Sequence, residues 1–164
     1  MRVLGVALLS GVVLLGACGG GESQNAATDS AASATPAVTP TPGAAVTMAP
    51  ITGTIHEVKM TGDANGYRYE PASITAKPGD GIKFIMVSGG PHNVAFDPAT
   101  LPAGQMAQLW ANMGANSADG SSPMLVNANE EFTLSLGNLA PGKYPFHCTP
   151  HLAMNMRGEL TITP

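Results

Sequence analysis

Basic residues are scarce in this chain. Seven Lys and Arg stand against eleven Asp and Glu, for a formal net charge of −4. A protein that grips nucleic acid through its phosphates needs a basic face, so that function class is excluded. A basic or mixed-charge protein partner stays open. The N-terminal apolar run, residues 3–15, is too short to span a bilayer as a helix. Helical periodicity is slight and no internal repeat is visible, which argues against a helix bundle or a solenoid. Cysteine is nearly absent: Cys18 and Cys148 are the only two.

The short apolar run follows Met1-Arg2 and reads as an export signal over residues 1–17. It ends in Leu15-Gly16-Ala17-Cys18, which resembles the lipobox of bacterial lipoproteins. The resemblance implies a lipid anchor on Cys18 and a cell-envelope location, periplasm-facing or extracellular, held to a membrane. Residues 18–48 are then the lipidated Cys and a tether of Gly, Ala, Ser, Thr and Pro, with almost no large apolar side chain. Such a composition cannot bury enough surface to fold, and roughly 30 residues of it would span on the order of 30 Å. With Cys18 lipidated no disulfide can form. Metal ligation is then the natural reason for an exported domain to keep the thiol of Cys148.

Residues 49–164 read as the folded domain. Strand-like runs are separated by turn signals: 51–60, 67–76 with Pro71 marking an edge or a bulge, 81–87, a short apolar piece at 92–96, 131–136, 143–148 and 156–163. Many short strands with Pro/Gly turns predict an antiparallel β-sandwich. The exception is an insertion around residues 101–122, where 105–113 can form a short helix and 114–122 a surface loop.

The chemistry concentrates in Cys148-Thr149-Pro150-His151-Leu152-Ala153-Met154-Asn155-Met156. Thiolate and thioether favour soft Cu(I), while imidazole serves both copper oxidation states, so the set suits copper better than zinc or calcium. Cys148 closes a strand, the Thr149-Pro150 turn brings His151 back, and Met156 returns as the last strand begins. That loop cannot supply a second imidazole. His92, in Gly89-Gly90-Pro91-His92-Asn93, can.

These residues, with Lys77-Pro78-Gly79-Asp80, Pro91-His92-Asn93-Val94-Ala95-Phe96-Asp97 and Pro141-Gly142-Lys143-Tyr144, resemble a plastocyanin-type cupredoxin, with loop similarity to pseudoazurin. The resemblance covers residues from about 51 to 164. It implies an all-β, eight-stranded Greek-key sandwich holding one type 1 copper. The implied ligands are the ring nitrogens of His92 and His151, the sulfur of Cys148 and the thioether of Met156, with Met154 the competing sulfur. It further implies that Asn93 holds the two ligand loops together, and that His151 reaches the surface through an apolar patch for which Pro91, Pro150, Leu152 and Met154 are candidates. His147 faces away from Cys148 by strand alternation, and His56 is expected to be an ordinary half-exposed side chain. The 101–122 segment is longer than in a minimal plastocyanin, and the acidic patch of plant plastocyanins is not evident.

The expected function is therefore single-electron transfer between redox proteins by a membrane-tethered monomer, not an enzyme. The alternative is copper storage or delivery in the cell envelope. With four His in the chain, nothing is left over for a catalytic copper centre. A metal-free adhesion sandwich would leave Cys148 and both loop histidines unexplained.

Overall fold

The computed structural model describes residues 46–164 apart from 116 and 118. The signal, Cys18 and nearly all of the tether read from the sequence lie outside the described residues. Within them the chain forms β1 (Ile55–Asp63), β2 (Gly66–Glu70), β3 (Ser73–Ala76), β4 (Gly81–Met86), β5 (Ala95–Phe96), α1 (Met106–Met113), β6 (Glu131–Ser135), β7 (Gly142–His147) and β8 (Arg157–Ile162). Two four-stranded sheets have the orders β2-β1-β4-β6 and β3-β8-β7-β5.

Alternation builds the core. Val58 and Met60 of β1, Ile82, Phe84 and Met86 of β4, and Phe132 and Leu134 of β6 are buried from one sheet. From the other come Ile74 of β3, Tyr144 and Phe146 of β7, and Leu160 and Ile162 of β8. Period-two patterning places these side chains on the facing surfaces of a sandwich. The helix expected inside the insertion is α1, which buries Leu109, Asn112 and Met113.

Three expectations are corrected. The sheets are mixed rather than antiparallel, because β1 pairs β4 and β3 pairs β8 in parallel. The chain crosses between sheets after β2, β3, β4, β5 and β6, and strands brought together by crossovers need not alternate in direction. The single run expected over 67–76 is two strands in different sheets, split at Pro71, whose missing N–H cannot join a ladder. Residues 51–54 precede β1 rather than belonging to it. The N–H groups of Thr52 and Gly53 both donate to the single carbonyl of Gly79, at 2.8 Å each, so they are not used in a ladder.

That same turn organises the pole of the sandwich where β1 begins. Asp80 accepts from Thr54 N at 2.8 Å, from Lys77 N at 3.0 Å and from His56 Nε2 at 3.0 Å. His56 is thus part-exposed, as expected, but it is paired. The His56 bond, then the Lys77 and Thr54 N–H groups, hold the Asp80 carboxyl at about 2, below its ordinary 3.8. A carboxyl whose folded value is depressed stabilises the fold above its unfolded value, and this contribution is lost as pH falls through the folded one. The stability gap between the unaltered protein and Asp80→Asn should therefore narrow as pH falls from about 4 to about 2. Urea unfolding at a series of acid pH values reads this directly, and a gap of constant size would refute it.

Candidate metal centre

Two loops meet at the opposite pole. One joins β4 to β5 and carries His92. The other joins β7 to β8, beyond their final pair His147↔Arg157. In the second loop Cys148 N donates to Met156 O at 3.1 Å, prolonging the ladder by one step. A 3-10 turn, Leu152–Met154, follows His151, and Asn155 reverses the chain with φ 62°. The consequence separates the two candidate sulfurs. Met154 is half exposed on the outside of the turn, whereas Met156 is fully buried with its N–H bonded to His151 O at 3.2 Å.

The first loop is fixed by backbone pairing and a close approach. His92 N donates to Leu125 O at 3.0 Å and Leu125 N returns a bond to His92 O at 2.8 Å. Ser122 bonds Val94 through both its backbone N–H and its hydroxyl. The end of the 101–122 insertion, with the residues that follow it, thus forms a strut beside His92. Gly89, at φ +73°, passes so near Gly62 that an added Cβ would lie 2.4 Å from the Gly62 Cα.

His92, Cys148 and His151 converge. Their potential ligand atoms all lie within 4.8 Å of one another. Cys148 Sγ is 3.3 Å from His151 Nδ1 and 3.7 Å from His92 Nδ1, and the two Nδ1 atoms are 3.2 Å apart. His92 and Cys148 have no exposed surface and His151 is 6 % exposed. His92 Nε2 lies 2.8 Å from the Ser88 carbonyl. A carbonyl only accepts, so the proton sits on Nε2 and the Nδ1 lone pair faces the sulfur.

Burial lowers the pKa of both histidines, for His151 with help from the neighbouring His92. Both rings are thereby held neutral, the state in which imidazole binds a metal. Burial also pushes the Cys148 thiol up, opposed by the backbone N–H groups of Asn93 and His151. A dry pocket with two neutral nitrogens and one sulfur fits a soft or borderline cation such as copper.

Asn93 clasps the two loops as the sequence suggested: its Oδ1 accepts from Thr149 N at 2.8 Å and its Nδ2 donates to Thr149 Oγ1 at 3.1 Å. His147 stays outside the cluster, half-buried beside a surface cleft that Asp97 and Arg157 also line. Sequence reasoning missed Ser88, whose carbonyl orients His92, and Tyr67, whose ring stacks on His151 at a centroid distance of 3.8 Å and 14° between planes. Neither residue type carries a signal for such a role; both are found only through the β1–β2 register and the Gly62–Gly89 approach.

The family model for "copper binding proteins, plastocyanin/azurin family" matches residues 56–163. Plastocyanin of Prochlorothrix hollandica is 35% identical over 114 residues, covering 70% of this chain and 77% of that protein. Plastocyanin of Daucus carota is 35% identical over 107 residues, covering 65% of this chain and 99% of the relative. Among solved structures, the oxidized form of plastocyanin from Dryopteris crassirhizoma superposes with a TM-score of 0.52 at 32% identity, over 65% of this chain and 99% of that one.

The Asn93 clasp is testable without metal. Asn93→Ala removes both part-buried bonds between the loops and leaves Thr149 N–H without its side-chain partner, at a cost of about 1–2 kcal/mol. Denaturation of the metal-free protein should show a lower midpoint with an unchanged m-value. Unaltered stability would mean that other contacts hold the loops together.

Proposed function

The chain belongs to the plastocyanin/azurin family of copper binding proteins, and from that premise we propose that His92, Cys148, His151 and Met156 hold one type 1 copper through which the domain passes single electrons between redox partners. Plastocyanin-like cupredoxins are copper electron carriers and not enzymes, and this chain is one of them. The observation that carries the ligand assignment is the convergence of three buried donors, from two loops clasped by Asn93, within 4.8 Å. Burial of Met156 and exposure of Met154 favour Met156 as the fourth ligand.

When bound, copper supplies a one-electron Cu(I)/Cu(II) couple at a site whose ligands suit both states. The protein's part is positional. Ser88 fixes the His92 tautomer, Asn93 fixes the distance between loops, and burial keeps water from the donors. Little has to rearrange when an electron arrives or leaves. Storage or delivery would call for an exposed, exchangeable site, and 0 %, 0 % and 6 % exposure of Cys148, His92 and His151 speaks against that alternative.

Around the centre the surface is apolar. Pro91, Pro150, Leu152 and Met154 are exposed, as are Met124 and Val126 on either side of the Leu125 that pairs with His92. Such a rim suits small, short-lived contacts with redox proteins. The export signal, a lipid on Cys18 and the 18–48 tether complete the reading: a monomer at the cell envelope, anchored to a membrane, with residues 49–164 as the copper domain. The short basic-apolar start, the lipobox-like run and the Pro/Ala/Thr composition support that part.

Reconstitution with Cu(II) tests the proposal. An intense visible thiolate charge-transfer band and a narrow copper hyperfine splitting are expected, with Cys148→Ser losing the band altogether. Met156→Leu should shift the reduction potential while Met154→Leu leaves it in place. A pale site that surrenders copper rapidly to a chelator would sink electron transfer in favour of delivery.

A further inference from the structure

We infer that Tyr67 is a positioning residue for the metal centre: its ring, stacked on the His151 imidazole, fixes that ring's plane as the Ser88 carbonyl fixes His92. The inference rests on the reading above that His151 is a copper ligand. A metal-binding imidazole is usually oriented by a hydrogen bond from its other nitrogen. His92 has one, from Nε2 to Ser88 O at 2.8 Å. Among the described residues His151 Nε2 has no such partner, and its Nδ1 faces only Cys148 and His92. Without another restraint the ring could turn about its χ2 bond and carry the lone pair away from the sulfur.

Tyr67 supplies the restraint. Its ring lies 3.8 Å from the His151 ring, centroid to centroid, with 14° between planes, a close and nearly parallel contact. It also meets His92 edge-on at 6.2 Å and 66°, so one phenol bears on both histidines. The ring is itself well held. Tyr67 is paired with Gly62 in the β1–β2 ladder and packs against the hydrophobic core. A side chain at Gly62 would come within 2.6 Å of the phenol, so the space beneath the ring exists because position 62 is glycine. On the neighbouring residue, Arg68 bonds Asp63 at 2.8 Å and Glu70 at 2.6 Å, tying β2 to the end of β1.

The stacked face explains what the phenol oxygen does not. The restraint comes from ring on ring, so Tyr67→Phe should keep it and Tyr67→Leu should lose it. In the full-length, metal-free chain, imidazole NMR spectra should show the His151 ring signals of Tyr67→Leu losing their ring-current shift and broadening. The His92 signals, shifted slightly by loss of the edge-on contact, should stay sharp because Ser88 still holds that ring. In the Cu(I) form, transfer to a chelator such as bathocuproine disulfonate should speed up by about two- to tenfold for Tyr67→Leu. The reduction potential should also move, and Tyr67→Phe should match the unaltered protein in all three readings. If Tyr67→Leu leaves the His151 signals and the release rate unchanged, or Tyr67→Phe disturbs them equally, the inference is wrong. Should the Leu variant not fold, Tyr67→Met, apolar and ringless, faces the same readings. Failure of the unaltered protein to form a copper–thiolate band would overturn the ligand reading instead, and the metal-free spectra would still decide whether Tyr67 orders the ring.

Discussion

The copper end of the sandwich depends on the absence of a side chain at Gly62. Its N–H donates to Ser88 O at 2.8 Å, and Ser88 Oγ donates to its carbonyl at 3.0 Å. That same Ser88 carbonyl receives the His92 Nε2–H. Gly62 also sits under the Tyr67 ring that covers His151, and its backbone nearly touches Gly89, where the His92 loop turns. A Cβ at position 62 would meet Tyr67 at 2.6 Å and Gly89 Cα at 2.9 Å. Both histidines, one held by a hydrogen bond and one by a stacked ring, thus rest on a single strand position that only glycine can fill. Interiors packed at this density transmit such a displacement rather than absorb it.

Given fixed rings, the dryness of the site decides its chemistry. Burial penalises imidazolium and thiolate alike, so in the absence of a cation the cluster favours neutral donors crowded together. A bound cation reverses this for the thiol, because the positive charge replaces the proton. The histidines need no such reversal; they already present neutral nitrogens. Closure of the donors from solvent accords with a centre that exchanges electrons rather than atoms.

The sequence made some of this legible and hid the rest for physical reasons. Residue chemistry pointed to His92, Cys148 and His151, because a lone thiol three positions before a histidine, in a domain whose sequence reads as exported, has few other uses. Alternation revealed the strands, since buried positions such as Ile82, Phe84 and Met86 recur every second residue. Strand direction was not legible: a period of two reads the same in a parallel and an antiparallel neighbour, so the expectation of an antiparallel sandwich could not anticipate the parallel pairs β1–β4 and β3–β8. The division of residues 67–76 between two sheets was hidden as well, because Pro71 marks a break in pairing without saying where the chain goes next. The burial of Met156 and the exposure of Met154 go with the left-handed Asn155 after the 3-10 turn, a backbone detail that spacing alone leaves open. Ser88 and Tyr67 act through register, which emerges only once β1 and β2 are paired.

The 101–122 insertion, together with the N-terminal segment, links the two poles of the domain. At the far pole, Asn112 of α1 is fully buried, accepting from Ala49 N at 2.9 Å and donating to Ser135 O and Gly137 O. From there the chain leads through 120–125 to the strut beside His92. Ser135 lies opposite Gly81 at one end of β4, whereas Met86 at the other end leads to Ser88 and the histidine loop. A strand of that length separates the two ends by about 17–20 Å. Because Ala49 is pinned at the Gly81 end, the described chain enters the domain a full strand away from Pro91, Leu152 and Met154. The apolar rim over His151 therefore lies about a strand's length from the point where the described chain enters the domain, so the surface over the metal centre is left open by the domain's own first residues.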